Sequence, residues 1–83
     1  MKWRCRVTTP IILPDLGVGP LTLSVWFVEP GDPVLQGERV LEVLAEGVTF
    51  DITAPATGKL LHKEAFSREQ LTAGQALGMI EGA

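Results

Sequence analysis

The chain has 83 residues, enough for one domain near the lower limit at which a hydrophobic core sustains itself. A 46% hydrophobic and 20% charged composition excludes disorder, and a net charge of −3 excludes the broad basic surface that nucleic-acid binding needs. Cys5 is the only cysteine, which excludes an intramolecular disulfide and any CxxC zinc site. A reducing, cytoplasmic setting is therefore expected. No apolar run reaches the length of a membrane span, and residues 1–10 lack the apolar core of a signal peptide, so no membrane partner is expected. Nine Gly and six Pro punctuate short β-branched runs, a pattern of strands and turns.

Residues 1–9 alternate Trp3, Cys5 and Val7 with Lys2, Arg4 and Arg6, as an N-terminal extension or edge strand would. The three cations are assigned no binding role. Ile11–Leu13 is a short apolar strand ended by Pro14, and Asp15–Pro20 is a surface loop. Leu21–Val28 is the clearest strand. Its alternation predicts Leu21, Leu23, Val25 and Phe27 in the core and Trp26 on the other face. Trp26 then needs either cover from the Trp3/Cys5/Val7 stripe or a protein partner, and internal cover is the expected solution. Glu29–Pro33 reads as a turn, in which Pro30 fixes φ and Gly31 supplies a positive one.

Leu41–Ile52 reads as a hairpin. Leu41, Val43 and Ala45 alternate with Glu42 and Leu44, and Val48, Phe50 and Ile52 alternate with Thr49 and Asp51 after the pair Glu46-Gly47, which is close to the Asp-Gly signal for a two-residue turn. Residues 54–58 form a further turn, and Lys59–Phe66 a further strand.

The end of the chain repeats its middle. Val34, Gly37, Val40 and Val43 recur 37 residues later as Leu71, Gly74, Leu77 and Ile80, and Pro14-x-x-Gly17 recurs 41 residues later as Pro55-x-x-Gly58. Two β-halves of this size bury their apolar faces most simply against each other about a pseudo-two-fold axis. Position 47 plus 37 falls just beyond the last residue, so the counterpart of the Glu46-Gly47 turn is the pair of ends, and the turn should protrude at the opposite end of the domain.

These residues resemble the biotinyl/lipoyl attachment domains, and among them the lipoyl domains of the acyltransferase (E2) components of 2-oxo acid dehydrogenase complexes. The resemblance rests on Leu13-Pro14-Asp15-Leu16-Gly17, Val25-Trp26-Phe27-Val28 with Gly31-Asp32-Pro33-Val34, Gly37 with Leu41-Glu42-Val43, Ile52-Thr53-Ala54-Pro55 with Gly58, and Gly74-Gln75-Ala76-Leu77-Gly78 with Ile80-Glu81. It implies an all-β fold over residues 10–83: a flattened barrel or sandwich of two four-stranded antiparallel sheets. It also implies lipoate, carried on a turn lysine, as the family cofactor. The family pattern places Gly sixteen residues before that lysine and eleven after it, where Gly31 and Gly58 stand relative to position 47. Position 47 is Gly. Glu46-Gly47-Val48 replaces the family's Asp-Lys-Ala, so no lipoyl cofactor is expected on this turn.

What the resemblance then implies is a non-catalytic docking module. Asp15, Leu16, Gly17 and Val18 of the first loop, Glu46 and Gly47 of the tip, and Trp26 are its candidate recognition residues. Its candidate partners are a dehydrogenase-complex component or a lipoate ligase. Two alternatives stand beside it: an acyl carrier modified at an atypical lysine, Lys59, and a stand-alone interaction domain using Trp26 or a sheet edge. Lys2 and Lys63 read as solvated residues, and no Gly is available to turn the chain at Arg68-Glu69-Gln70, so a wider loop or a short helical turn is expected there. His62 and Cys5 lack catalytic partners at any motif spacing. Glu38, Glu42, Glu46 and Asp51 read as a solvated acidic face rather than a metal or acid/base site.

Overall fold

A computed structural model describes residues 7–82. The expected Trp3/Cys5 stripe and the cations at 2, 4 and 6 lie outside the described residues. Eight strands follow one another: β1 (Thr8–Ile12), β2 (Leu21–Trp26), β3 (Pro33–Val34), β4 (Arg39–Ala45), β5 (Val48–Thr53), β6 (Gly58–Lys63), β7 (Gln70–Leu71) and β8 (Ala76–Glu81). They form two four-stranded antiparallel sheets, ordered β1-β8-β6-β3 and β5-β4-β2-β7. Advancing every strand by four, with the count wrapping at eight, converts one order into the other, so the expected pseudo-two-fold is present in the topology. The sheets stay separate. The edge strands β1, β3, β5 and β7 each pair on one side only, so the fold is a sandwich and not the closed barrel that was one of the two expected forms.

The repeat holds at the level of single hydrogen bonds. Gly37 and Gly74 take φ of 89° and 88°; the Gly37 amide donates to the Ala54 carbonyl and the Gly74 amide to the Leu13 carbonyl. Val34, Val40 and Val43 are buried, as are Leu71, Leu77 and Ile80. Val40 and Leu77 are matching bulges: the register passes from Arg39↔Thr53 to Leu41↔Ile52, and from Ile12↔Ala76 to Ile11↔Gly78. Each bulge turns two consecutive residues of its strand into the core, Val40-Leu41 and Leu77-Gly78.

Another pair of bulges corrects the reading of β2. Leu23 pairs with Val43 and Val25 with Glu42, so Ser24 is extra, and in β6 Leu61 is extra in the same way. Beyond an extra residue the in/out alternation reverses. Leu21 and Leu23 face the core as expected, but Val25 and Phe27 are 40% and 45% exposed, whereas Trp26 is buried. Trp26 therefore needs no cover from the N-terminal segment. Its indole Nε1 donates to the Ala65 carbonyl at 2.9 Å, and a Cβ on Gly78 would lie 3.0 Å from the ring, so the missing side chain at 78 makes the space.

Two other boundaries differ from expectation. β1 runs through Pro10 as one strand, with Leu13 buried beyond its end, and β6 stops at Lys63, where Glu64–Phe66 begin the next turn.

Candidate functional site

Ala45 pairs with Val48, leaving Glu46 and Gly47 as the two turn residues, at φ of 46° and 82°. Positive φ at both positions is the type I′ turn, whose twist matches that of the strands it joins. Gly47 meets that demand without a Cβ penalty, while Glu46 carries one. A Cβ built on Gly47 would touch nothing within 4 Å, so a side chain there would project into solvent. Burial declines toward the tip: Ile52 is buried, Phe50 half-buried and Val48 54% exposed.

The register brings the first loop to this tip. β2 begins at Leu21, directly after Pro20, and Thr22 pairs with Leu44, two residues before Glu46. Asp15–Pro20 thus leads into the sheet beside the turn. Within the loop, Asp15 Oδ1 accepts the Gly17 amide at 3.0 Å, Gly17 takes φ of 75°, and the Gly19–Pro20 bond is cis. Leu16 packs on the core and Val18 is 50% exposed. The described ends lie at the other end of β5: the Gly82 amide donates to the Val7 carbonyl, beside Thr57. Tip and loop thus share the end remote from Val7 and Gly82.

The remaining candidates do not converge there. Trp26 is a core residue, so it offers a partner no surface. Lys59 is exposed but sits between two ladders, paired with Pro33 and Glu81. Lys63 is engaged: its Nζ reaches Glu29 Oε1 at 2.9 Å and lies 5.4 Å from the Trp26 ring centroid. Glu42 is half-buried on β4, and Glu38 Oε1 accepts the Leu35 amide. Asp51 pairs loosely with Arg39 at 3.4 Å, both exposed, and His62 Nε2 lies 3.0 Å from Glu64 Oε2. Among the described residues no three His, Cys, Asp or Glu side chains are grouped to hold a metal ion.

One surface feature escaped sequence reasoning. Phe27, Val28, Asp32, Pro33, Glu38 and Arg39 line a shallow open groove in which the Arg39 guanidinium lies 5.2 Å from the Phe27 centroid. Locating Phe27 outside required the Ser24 bulge, which no residue in the sequence announces.

A two-sheet sandwich of this symmetry, with a hairpin tip opposite the described ends, is the architecture that the resemblance to lipoyl domains implies. The family model described as "Biotin-requiring enzyme" matches residues 9–80, and the chain belongs to that biotinyl/lipoyl family. It is 34% identical over 80 residues to the dihydrolipoyllysine-residue succinyltransferase component of the 2-oxoglutarate dehydrogenase complex of Rickettsia felis, a match covering 93% of the chain and 20% of that protein. It is 33% identical over 76 residues to the lipoamide acyltransferase component of the branched-chain alpha-keto acid dehydrogenase complex of Pseudomonas putida, covering 89% of the chain and 18% of that protein. The chain thus spans about a fifth of these relatives' length. In fold it resembles the solution structure of the lipoyl domain of the Azotobacter vinelandii 2-oxoglutarate dehydrogenase complex, with a TM-score of 0.64 at 22% identity over 94% of this chain and 98% of that one. Domains of this lipoyl type are carriers rather than catalytic units.

Proposed function

We propose that this chain is a lipoyl-type domain without a lipoyl-lysine, a non-catalytic docking module for a protein of a 2-oxo acid dehydrogenase complex or for a lipoate ligase, acting in the cytoplasm. The observation that carries this reading is the residue at the apex of the β4–β5 turn. Gly47 has the open surroundings an attachment residue needs and no amine to acylate. The relatives' names, which tie them to dehydrogenase complexes, supply the class of partner. The recognition surface is the tip together with Asp15, Leu16, Gly17 and Val18, which the register delivers to the same end.

Intact mass after incubation with lipoate ligase and lipoate tests it. The chain keeps its unmodified mass, whereas Gly47→Lys gains one lipoyl group. The unmodified chain also slows lipoylation of Gly47→Lys competitively, because it offers the ligase the same surface. A lipoyl adduct on the unmodified chain sinks the proposal; if Lys59→Arg removed that adduct, the acyl-carrier reading at Lys59 would replace it. Absence of competition would remove the ligase from the list of partners.

A further inference from the structure

We propose that the free edge of β5 receives residues 2–6 of a second copy of this chain as an added strand. The sandwich has four edge strands. β3 and β7 have two residues each, too few to template a partner. β1 and β5 are longer, and the pseudo-two-fold makes them equivalents, with Pro10 corresponding to Asp51 across the same 41-residue offset that relates Pro14 to Pro55.

Their outward faces differ in one atom that matters. In β1, the Gly82 amide bonds to Val7, so the antiparallel alternation turns residues 7, 9 and 11 toward β8 and residues 8, 10 and 12 outward. The central outward residue is Pro10, which has no N–H to offer, the usual protection of an exposed edge. In β5, the two-residue hairpin makes Ala45/Val48 a hydrogen-bonded pair, so residues 48, 50 and 52 face β4 and the amides of Thr49, Asp51 and Thr53 face out. All three keep their donors. No Pro or Lys interrupts the row, and no strand among the described residues covers it.

The chemistry flanking that edge selects the occupant. All ten carboxylates of the chain lie within the described residues, against four cations there; the other three cations are Lys2, Arg4 and Arg6. On one face of the edge stands Asp51, which exposed Arg39 reaches only loosely at 3.4 Å, with Glu42 on the neighbouring strand, so the two carboxylates outnumber that one cation; on the other face are half-buried Phe50 and exposed Val48. An added strand fitting both faces alternates cations with apolar residues, the pattern of Lys2-Trp3-Arg4-Cys5-Arg6. The register that sets the cations beside Asp51 also sets Trp3 and Cys5 over the Phe50 side, whereas a one-residue slip loses both. Pairing β5 with its own copy about Asp51 would instead oppose like charges.

The test uses the full chain. In sedimentation equilibrium the unmodified chain self-associates as its concentration rises, and hydrogen exchange at Thr49, Asp51 and Thr53 slows in step while that at Val48, Phe50 and Ile52 stays unchanged. Asp51→Pro removes the outward donor that Pro10 already lacks in β1 and weakens association by about tenfold or more. Arg4→Glu/Arg6→Glu does the same, and mixing the two variants restores association, because one supplies an intact segment and the other an intact edge. A chain monomeric at every concentration, association without protection of the three outward amides, or a folded Asp51→Pro that associates like the unmodified chain would each overturn the proposal. Should Asp51→Pro fail to fold, exchange on the unmodified chain decides alone. None of these outcomes bears on the lipoylation test, since the tip plays no part in them.

Discussion

The β2–β3 and β6–β7 turns occupy equivalent places in the two halves and differ in the residue that matters most to each. At the first, the Gly31 amide donates to the Leu60 carbonyl and the Leu60 amide to Asp32; at the second, the Arg68 amide donates to Leu23 and the Leu23 amide to Glu69. Asp32 Oδ2 accepts the Glu29 amide, and Glu69 Oε1 accepts the Phe66 amide. The backbone is one and the same. Gly31 meets it at φ of 95° without penalty, whereas Arg68 is held at 70°. The wider loop or helical turn expected at Arg68–Gln70 is therefore absent. Hydrogen bonds from both flanking strands, repeated from the other half, override the local reluctance of a non-Gly residue. Tertiary pairing, not turn chemistry, fixed this segment.

A second contrast between the halves concerns size. Position 41 holds Leu and its equivalent 78 holds Gly; position 26 holds Trp and its equivalent 63 holds Lys. One half fills the shared core with the indole and leaves position 78 empty for it. The other fills its place with Leu41 and keeps Lys63 at the margin, with its side chain 16% exposed and its Nζ on Glu29. If this exchange is what holds the two halves together, Trp26→Ala is the most damaging change. It empties the space and leaves the Ala65 carbonyl without its indole donor, a loss of about 3–5 kcal/mol by chemical denaturation. Gly78→Ala comes next. Its Cβ would stand 3.0 Å from both the Trp26 ring and the His62 carbonyl, for a cost of about 1–3 kcal/mol. The cost should shrink in a Trp26→Leu background, because the ring half of the crowding is gone; strict additivity in that double-mutant cycle would break the account.

The turn contrast predicts a smaller effect of opposite sign. Arg68→Gly relieves the left-handed strain and stabilises the domain by about 1 kcal/mol, partly offset by the greater freedom of Gly in the unfolded chain. Gly31→Arg introduces the same strain and destabilises by a similar amount. Thermal melts of the two variants should move in opposite directions, and a melt unchanged by Arg68→Gly would show that the second turn holds Arg at no cost.

How much of this was legible follows from which signals are local. The apolar repeat spaced by 37 residues located Val34, Val40, Val43 and their counterparts, all buried, because periodic burial leaves its mark on composition. The Glu46-Gly47 turn and its remoteness from the ends were likewise readable from residue type and symmetry. The bulges were not. Ser24, Val40, Leu61 and Leu77 carry no common residue type, and a bulge is a property of two strands in register rather than of either sequence. The candidate site was thus half legible in its geometry: the tip and the first loop, read from residue type, lie at one end, whereas Trp26 was assigned to the wrong face and the Phe27–Arg39 groove was missed.

The smallest predicted effect is the sharpest check on that lesson, because the two readings of β2 disagree about it by several kcal/mol. Under unbroken alternation, Val25 and Phe27 would be core residues, and replacing Phe27 would cost about 3–5 kcal/mol, like other buried aromatic truncations. With Ser24 bulged, both side chains lie on the outer face, where a β-branched polar residue is equally at home. Val25→Thr should therefore change stability by no more than about 0.5 kcal/mol. Phe27→Thr should cost little more, losing a half-exposed ring and its exposed contact with Arg39. Leu23→Ala, one pair earlier on the same strand and fully buried, should cost about 2–5 kcal/mol. Near-equal losses at positions 23 and 25 would restore the unbroken strand, and with it an outward-facing Trp26; a steep fall between them places the bulge where the register has it.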